Sequence, residues 1–249
     1  MKKIGVQLFT IRDFMGNEDA IRASFKKLKE IGYDEAQTAG CDIPYADFGR
    51  IAREEGIEIV GTHDDFGLMC RDPEAAMEAH RALGTTNMGI GGRGYSGIED
   101  CEAFIAEANR VAENVYPHGF KFTYHNHSHE FMLNANGKTY MDMLVEGLDP
   151  VRTSFVLDTY WVQHGGADVR HWIEKLAGRV DILHLKDMGR DANGPFITEI
   201  GHGNIWWEGV LKTAEETGVQ HYVVEQDIWP GDPFESLKYS RQYLDRFLK

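Results

Sequence analysis

Between Tyr124 and Glu130 the chain reads YHNHSHE, three histidines at alternate positions and a glutamate within seven residues. Further along, TSFVLDTY holds Asp158, VDILHLKD holds His184 and Lys186, and HYVVEQD holds Glu225 and Asp227. Imidazoles and carboxylates together suit a divalent cation such as Mn²⁺, Zn²⁺, Co²⁺, Fe²⁺ or Mg²⁺, and soft ligands are missing from these segments. A cation of this kind polarises a carbonyl, and a carboxylate beside it can take a proton from the adjacent carbon.

That chemistry requires the four segments to end side by side. Short β-branched or aromatic runs predict strands over 4–9, 33–39, 57–63, 86–92, 120–127, 153–160, 180–187 and 221–227. Amphipathic stretches predict helices over 20–32, 44–56, 72–84, 97–115, 138–147, 168–177, 206–217 and 233–248. In the first helix, Ile21, Phe25, Leu28 and Ile31 share one face before Gly32 ends it. Eight βα units in 249 residues are the expectation for an α/β fold of the (β/α)8 TIM barrel type, read as one domain over 1–249. A doubly wound open sheet that binds a dinucleotide would want GxGxxG after the first strand, where TIRDFMGN stands instead. The Gly-rich GIGGRG at 89–94 lacks that spacing and reads as a flexible loop.

A barrel carries its site where the strands end. Strand five offers His125 and His127, strand six Asp158, strand seven His184 and strand eight Glu225. Alternation puts Phe155 and Leu157 opposite Asp158, and Leu183 and Leu185 opposite His184 and Lys186. Any one such residue is ordinarily a satisfied polar group. Four in register on consecutive strands is the informative pattern. His63, ending strand three, reads equally as a contact for substrate hydroxyls and as a structural hydrogen-bond partner. Trp161 reads as a stacking platform for a sugar ring or as packing. Phe9 is placed to wall the pocket, Asp64 and Asp65 read as loop caps, and His129 as a solvated histidine.

The segments YHNHSHEF, FVLDTYWVQHGG, HLKDM, IGHGNIWW and YVVEQD resemble the sugar phosphate isomerase/epimerase superfamily, the xylose isomerase-like TIM barrels that include ketose 3-epimerases, inosose dehydratases and AP endonucleases. The resemblance implies one divalent metal at the barrel mouth, held by Glu, Asp, His and Glu from strands five to eight. Asp158, His184 and Glu225 match the last three. For the first position two residues compete. Strand phase gives His125; the family's use of an acidic residue on each side of the substrate favours Glu130, folded back from the loop. The resemblance further implies a sugar isomerase or epimerase acting on a keto-sugar, with a lyase or dehydratase on a keto-sugar, keto-glycoside or keto-inositol as runner-up. Glu130 and Glu225 would be the acid/base pair, His127 would assist proton transfer or bind a hydroxyl, and Lys186 would meet an enediolate oxygen or form a salt bridge with Asp227. His202 falls where relatives often carry an acidic residue and is assigned to substrate binding.

Composition narrows the partners. A net charge of −14 argues against general nucleic-acid or anionic-membrane binding, and against the DNA-directed branch of the family. Three scattered cysteines without CxxC argue against disulfides and a thiolate zinc site, and point to a reduced, cytoplasmic protein. The basic N-terminus reads as a first strand rather than a signal, and no stretch reaches the roughly 18 apolar residues of a membrane helix. A small sugar substrate is the expected partner, with a homo-oligomer left open. A non-catalytic sugar-binding barrel is the remaining alternative, disfavoured because Asp158, His184 and Glu225 are all retained.

Overall fold

The computed structural model describes residues 2–248. The strands are β1 (Gly5–Gln7), β2 (Glu35–Thr38), β3 (Glu58–Thr62), β4 (Asn87–Ile90), β5 (Lys121–His125), β6 (Thr153–Asp158), β7 (Val180–Leu185), β8 (Asp187–Asp191), β9 (Gly194–Thr198) and β10 (His221–Val224). The helices are α1 (Glu18–Ile31), α2 (Tyr45–Glu54), α3 (Phe66–Arg71), α4 (Pro73–Leu83), α5 (Ile98–Val115), α6 (Tyr140–Gly147), α7 (Thr159–His164), α8 (Val169–Lys175), α9 (Trp207–Glu216) and α10 (Pro233–Leu244). Eight parallel strands run in the order β3-β2-β1-β10-β7-β6-β5-β4, a nearly closed barrel, while β8 and β9 form an antiparallel hairpin outside it. Among the described residues no helix is long and apolar enough to cross a membrane.

All eight predicted barrel strands and all eight predicted helices form, and the differences lie at strand ends. Strand one stops at Gln7 because its side chain accepts a hydrogen bond from the Phe9 N–H and starts a 3₁₀ turn over Leu8–Phe14. Strand six stops at Asp158, which caps α7 through the Trp161 N–H at 3.0 Å. Strand seven gives way at Asp187 to the hairpin. Buried Asp187 accepts from the N–H groups of Met188, Gly201, Gly203 and Ile205 and from Trp207 Nε1, so one carboxylate organises the whole loop from hairpin to α9. Helix α1 is bounded by the Asn17 cap and by Gly32 at φ 107°, a conformation that favours glycine.

Inside the barrel Val60, Val156, Ile182 and Val223 form an apolar cluster separate from the core between strands and helices. Two residues onward along three of these strands stand Asp158, His184 and Glu225. The inward face is therefore apolar at depth and ionic at the mouth.

The seam between β3 and β4 is closed by individual bonds instead of a ladder. Asp64 N–H donates to the Gly89 carbonyl at 2.8 Å, and Asn87 Nδ2 to the Val60 carbonyl at 2.9 Å. Gly89 N–H donates to Thr62 Oγ1 at 3.2 Å, and Thr62 Oγ1 lies 2.8 Å from His80 Nε2. His80 Nδ1 faces the Ala76 carbonyl at 2.7 Å, so Nδ1 donates and Nε2 accepts. A Cβ on Gly89 would stand 2.1 Å from the Thr62 carbonyl oxygen, which explains a glycine at this crossing.

This relay needs a neutral His80. Burial lowers its pKa below the ordinary 6.5, with the Ala76 carbonyl opposing. The unfolded chain then binds more protons, so this contribution is complete above about pH 6.5 and is lost as pH falls from there toward the folded value. Unfolding free energy measured in urea should decline on acidification below about pH 6.5, and His80→Gln should remove part of that slope. Thr62→Val should cost about 1–3 kcal/mol by leaving the Gly89 N–H unsatisfied. An unchanged pH slope in H80Q would refute the relay.

Candidate metal and active site

His125, Asp158, His184 and Glu225 come together at the mouth with potential ligand atoms all within 4.8 Å of one another, every one of the four buried. Asp158 divides its carboxylate. Oδ1 caps α7, and Oδ2 faces His125 Nε2 at 3.4 Å, His184 Nδ1 at 3.6 Å and Lys186 Nζ at 3.6 Å. The Asp158 N–H is held by Asn126 Oδ1 at 2.9 Å, which ties the HNH segment to β6. Glu225 Oε2 lies 3.0 Å from His184 Nδ1 and 3.2 Å from Lys186 Nζ. Lys186, 1 % exposed, also reaches Asp227 Oδ2 at 2.7 Å. Its backbone is fixed through Thr159 Oγ1, which accepts from the Lys186 N–H and lies 3.0 Å from the His184 carbonyl.

The electrostatics follow from burial opposed by these contacts. Burial pushes the Asp158 carboxyl up, but Lys186 and the close approach of His125 and His184 outweigh it and hold it well below the usual range. Glu225 is held down in the same way by Lys186 and His184. Burial disfavours a charged His184, yet Glu225 and Asp158 raise it to about 9. Burial also opposes the Lys186 charge, and Glu225, Asp158 and Asp227 reverse that, raising its pKa above the ordinary value. His63 is lowered strongly by burial and by the neighbouring His125 and His184, and His127 is lowered to about 3 by burial and His125.

The donor set fits a divalent cation. Ligand atoms about 2.0–2.2 Å from a common centre stand at most about 4.4 Å apart, close to the spread observed here. His184 Nδ1 is buried without a hydrogen bond of proper geometry despite its acidic neighbours. His63 Nε2, His127 Nδ1 and Trp161 Nε1 are buried and unpartnered as well. The His63 ring lies 4.7 Å from that of His125 and 5.5 Å from that of His184, and the His127 ring lies 5.2 Å from that of Trp161. Trp161 also has the Lys186 ammonium 5.0 Å from its ring centroid.

Two expected site residues lie elsewhere. Glu130 is fully buried, but its Oε1 accepts from Tyr124 OH at 2.8 Å and its Oε2 from the His127 N–H at 2.9 Å. It groups with His127 and His129, apart from the four-residue cluster, because the turn after β5 directs it toward Tyr124. His125 occupies the position for which Glu130 was favoured. His202 pairs with Glu199 at 3.5 Å and stacks 3.9 Å from the Tyr239 ring, with half its side chain exposed and no contact to the cluster. His129 is only half-buried but bonds the Arg93 carbonyl at 2.8 Å rather than standing free in solvent. Asp65 caps α3 and Asp64 accepts from Tyr45 OH, both in the loop role expected of them. Phe9 lines a cavity of about 250 Å³ with Arg12, Cys41 and Asp42. Gln7, Gln37, Asn126 and Thr159 went unrecognised as supports of the site. A glutamine inside a three- or four-residue strand was the available signal.

A family profile described as Xylose isomerase-like TIM barrel matches residues 25–247. An inosose dehydratase from Geobacillus thermodenitrificans is 26% identical over 164 residues, 59% of this chain and 54% of that protein, so the chain spans about half the length of the curated relatives it matches. Among solved structures, a sugar phosphate isomerase/epimerase from Parabacteroides distasonis superposes with a TM-score of 0.83 at 21% identity, covering 100% of both chains. An L-ribulose 3-epimerase does so with a TM-score of 0.74 at 14% identity, covering 100% of this chain and 95% of the other. With its eight parallel strands and the profile match over nearly its whole length, the chain belongs to the xylose isomerase-like TIM barrel family.

Proposed function

We propose that the protein is a divalent-metal-dependent enzyme of the sugar isomerase/epimerase kind, which removes a proton from the carbon beside a carbonyl of a keto-sugar or a derivative. The observation that carries this is the buried group of His125, Asp158, His184 and Glu225 with Lys186 against it. These four residues would hold the cation, and Mn, Zn, Co, Fe and Mg all accept such donors. When bound, the cation supplies Lewis-acid polarisation of the carbonyl and charge for the enediolate that develops. Glu225, kept ionised by Lys186 and His184, can accept the proton. Lys186 keeps its charge at neutral pH and can meet the developing oxyanion. His127, kept neutral, can bind or relay at a hydroxyl, and Trp161 can wall the sugar. The substrate in this reading is a small sugar, and net −14 disfavours nucleic acid.

A second reading, a lyase or dehydratase, is favoured by one specific feature. Glu130 is held away by Tyr124 and the His127 N–H, so the group contains no second acid/base carboxylate from strand five. Inversion at a carbon needs proton transfer on both faces of the substrate. Isomerisation through an enediol, or elimination on one face, needs only one. The match to inosose dehydratases points the same way.

Elemental analysis separates the ligand assignments. Wild type and Glu130→Gln should each hold about one divalent cation per chain, while Asp158→Asn and Glu225→Gln should hold little. Metal loss in E130Q with retention in D158N would reverse the assignment. The chemistry is read by incubating metal-replete protein in D₂O with a panel of ketoses and keto-glycosides. Deuterium in a returned or isomeric sugar is the result for the first reading, and a product lacking water or an aglycone for the second. Neither outcome, with metal bound, would leave a sugar-binding barrel.

A further inference from the structure

The barrel interior contains two buried glutamines, Gln7 on β1 and Gln37 on β2, each set against a mouth histidine with its amide turned the opposite way. The turn of each amide is fixed by its other bond. Gln7 Oε1 accepts from the Phe9 N–H at 3.3 Å, so its NH₂ is the group 3.4 Å from His63 Nδ1. Gln37 Nε2 donates to the Thr62 carbonyl at 3.5 Å, so its carbonyl oxygen is the group 2.5 Å from His184 Nε2. An amide NH₂ can only donate and an amide oxygen can only accept.

The geometry points to a division of labour in which Gln37 holds His184 with its proton on Nε2 and a bare Nδ1 toward a metal, while Gln7 holds His63 with a bare Nδ1 and an Nε2–H offered to a substrate oxygen. His125 supports the rule from the ligand side. Its Nδ1 faces the Gly91 carbonyl at 3.4 Å and its Nε2 faces Asp158, so its outer nitrogen also meets an acceptor. A metal-ligating histidine characteristically donates its outer N–H to an oxygen, which leaves the inner nitrogen bare. In both His125 and His184 the outer nitrogen faces an oxygen, as that pattern requires. His63 reverses it, although its ring lies 4.7 Å from that of His125 and 5.5 Å from that of His184, and its Nε2 is buried with no protein partner. A buried N–H lacking an acceptor is costly. A hydroxyl or developing oxyanion held at the neighbouring cation would satisfy it. His63 is thereby excluded as a fifth ligand and becomes a hydrogen-bond donor to substrate, with Gln7 and Gln37 as positioning residues.

This inference rests on the reading of the cluster as a metal and substrate site, but its first test does not depend on activity. Two-bond ¹H–¹⁵N spectra of ring-labelled histidine in the metal-free protein report which nitrogen carries the proton, with His63→Asn identifying the His63 signals. The expected result is a proton on Nε2 and a bare Nδ1 for His63. In Gln7→Glu, a carboxylate has no proton to give, and the His63 proton should move to Nδ1. Metal content should stay unchanged while kcat/KM falls tenfold or more. Gln37→Leu should weaken Mn²⁺ binding by about 10–100-fold and leave the His63 pattern as in wild type. A wild-type His63 with its proton on Nδ1, or Mn²⁺ affinity in Q37L equal to that of wild type, would overturn the proposal even if the enzyme proves active. A correct tautomer pattern in a protein that turns over no keto-sugar would instead count against the function and leave the positioning intact.

Discussion

The rest of the structure is arranged around one ion cluster. Lys186, almost wholly buried, lies within 4 Å of Asp158, Glu225 and Asp227, and His184 lies between the first two acids. Taking charges out of water is repaid only when they are paired and fully hydrogen-bonded, and breaking such a pair by removing one partner typically costs about 3–5 kcal/mol. The neighbouring polar groups follow from that requirement. Asn126 fixes the Asp158 backbone, the Trp161 N–H satisfies one Asp158 oxygen, and Thr159 binds the His184 and Lys186 backbones. The helix that begins at Thr159 exists in this register because Asp158 caps it. The same residue that faces the ligand cluster therefore sets where a strand ends.

Much of this was readable from alternation. A parallel barrel buries both faces of its strands, and polar residues that interrupt the inward face at strand ends stand out against Val156, Ile182 and Val223 below them. That contrast places Asp158, His184 and Glu225 without any knowledge of contacts. It also gives His125 by phase. The preference for Glu130 came from chemical analogy, which carries no information about the turn Ser128–Phe131 or about the Tyr124 hydroxyl waiting across it. His202 stands apart from the cluster, with Glu199 and Tyr239, for a similar reason. Its loop is steered by Asp187, whose five bonds come from backbone groups and a tryptophan that no pattern announces. The glutamines were invisible for a third reason. Their function lies in which end of an amide faces a ring, and that is decided by the Phe9 N–H and the Thr62 carbonyl.

A histidine at 125, where the resemblance implies a glutamate, would have an electrostatic consequence for a bound cation. A Glu-Asp-His-Glu set brings three negative charges to a divalent cation. The set here would bring two, from Asp158 and Glu225, and the remaining pair, Lys186 and Asp227, is 2.7 Å apart. With a divalent cation held there, charge inside the mouth would balance before substrate arrives, where a Glu-Asp-His-Glu set would leave an excess of negative charge. In a buried site of low effective dielectric, that difference acts directly on any group that becomes anionic during reaction. In the proposed reaction a developing oxyanion would be repelled less by two carboxylates than by three, and would find the Lys186 ammonium within the same cluster. Strand five and its turn offer the cluster no carboxylate, since the one acid of YHNHSHE, Glu130, is engaged by Tyr124 and the His127 N–H. Under the proposed function, stronger stabilisation of the anion and weaker two-sided proton transfer would go together in this arrangement. Such an arrangement would suit a reaction in which the enediolate is long enough lived to shift its carbonyl or expel a neighbouring group, more than one in which a proton is traded across the plane of the sugar.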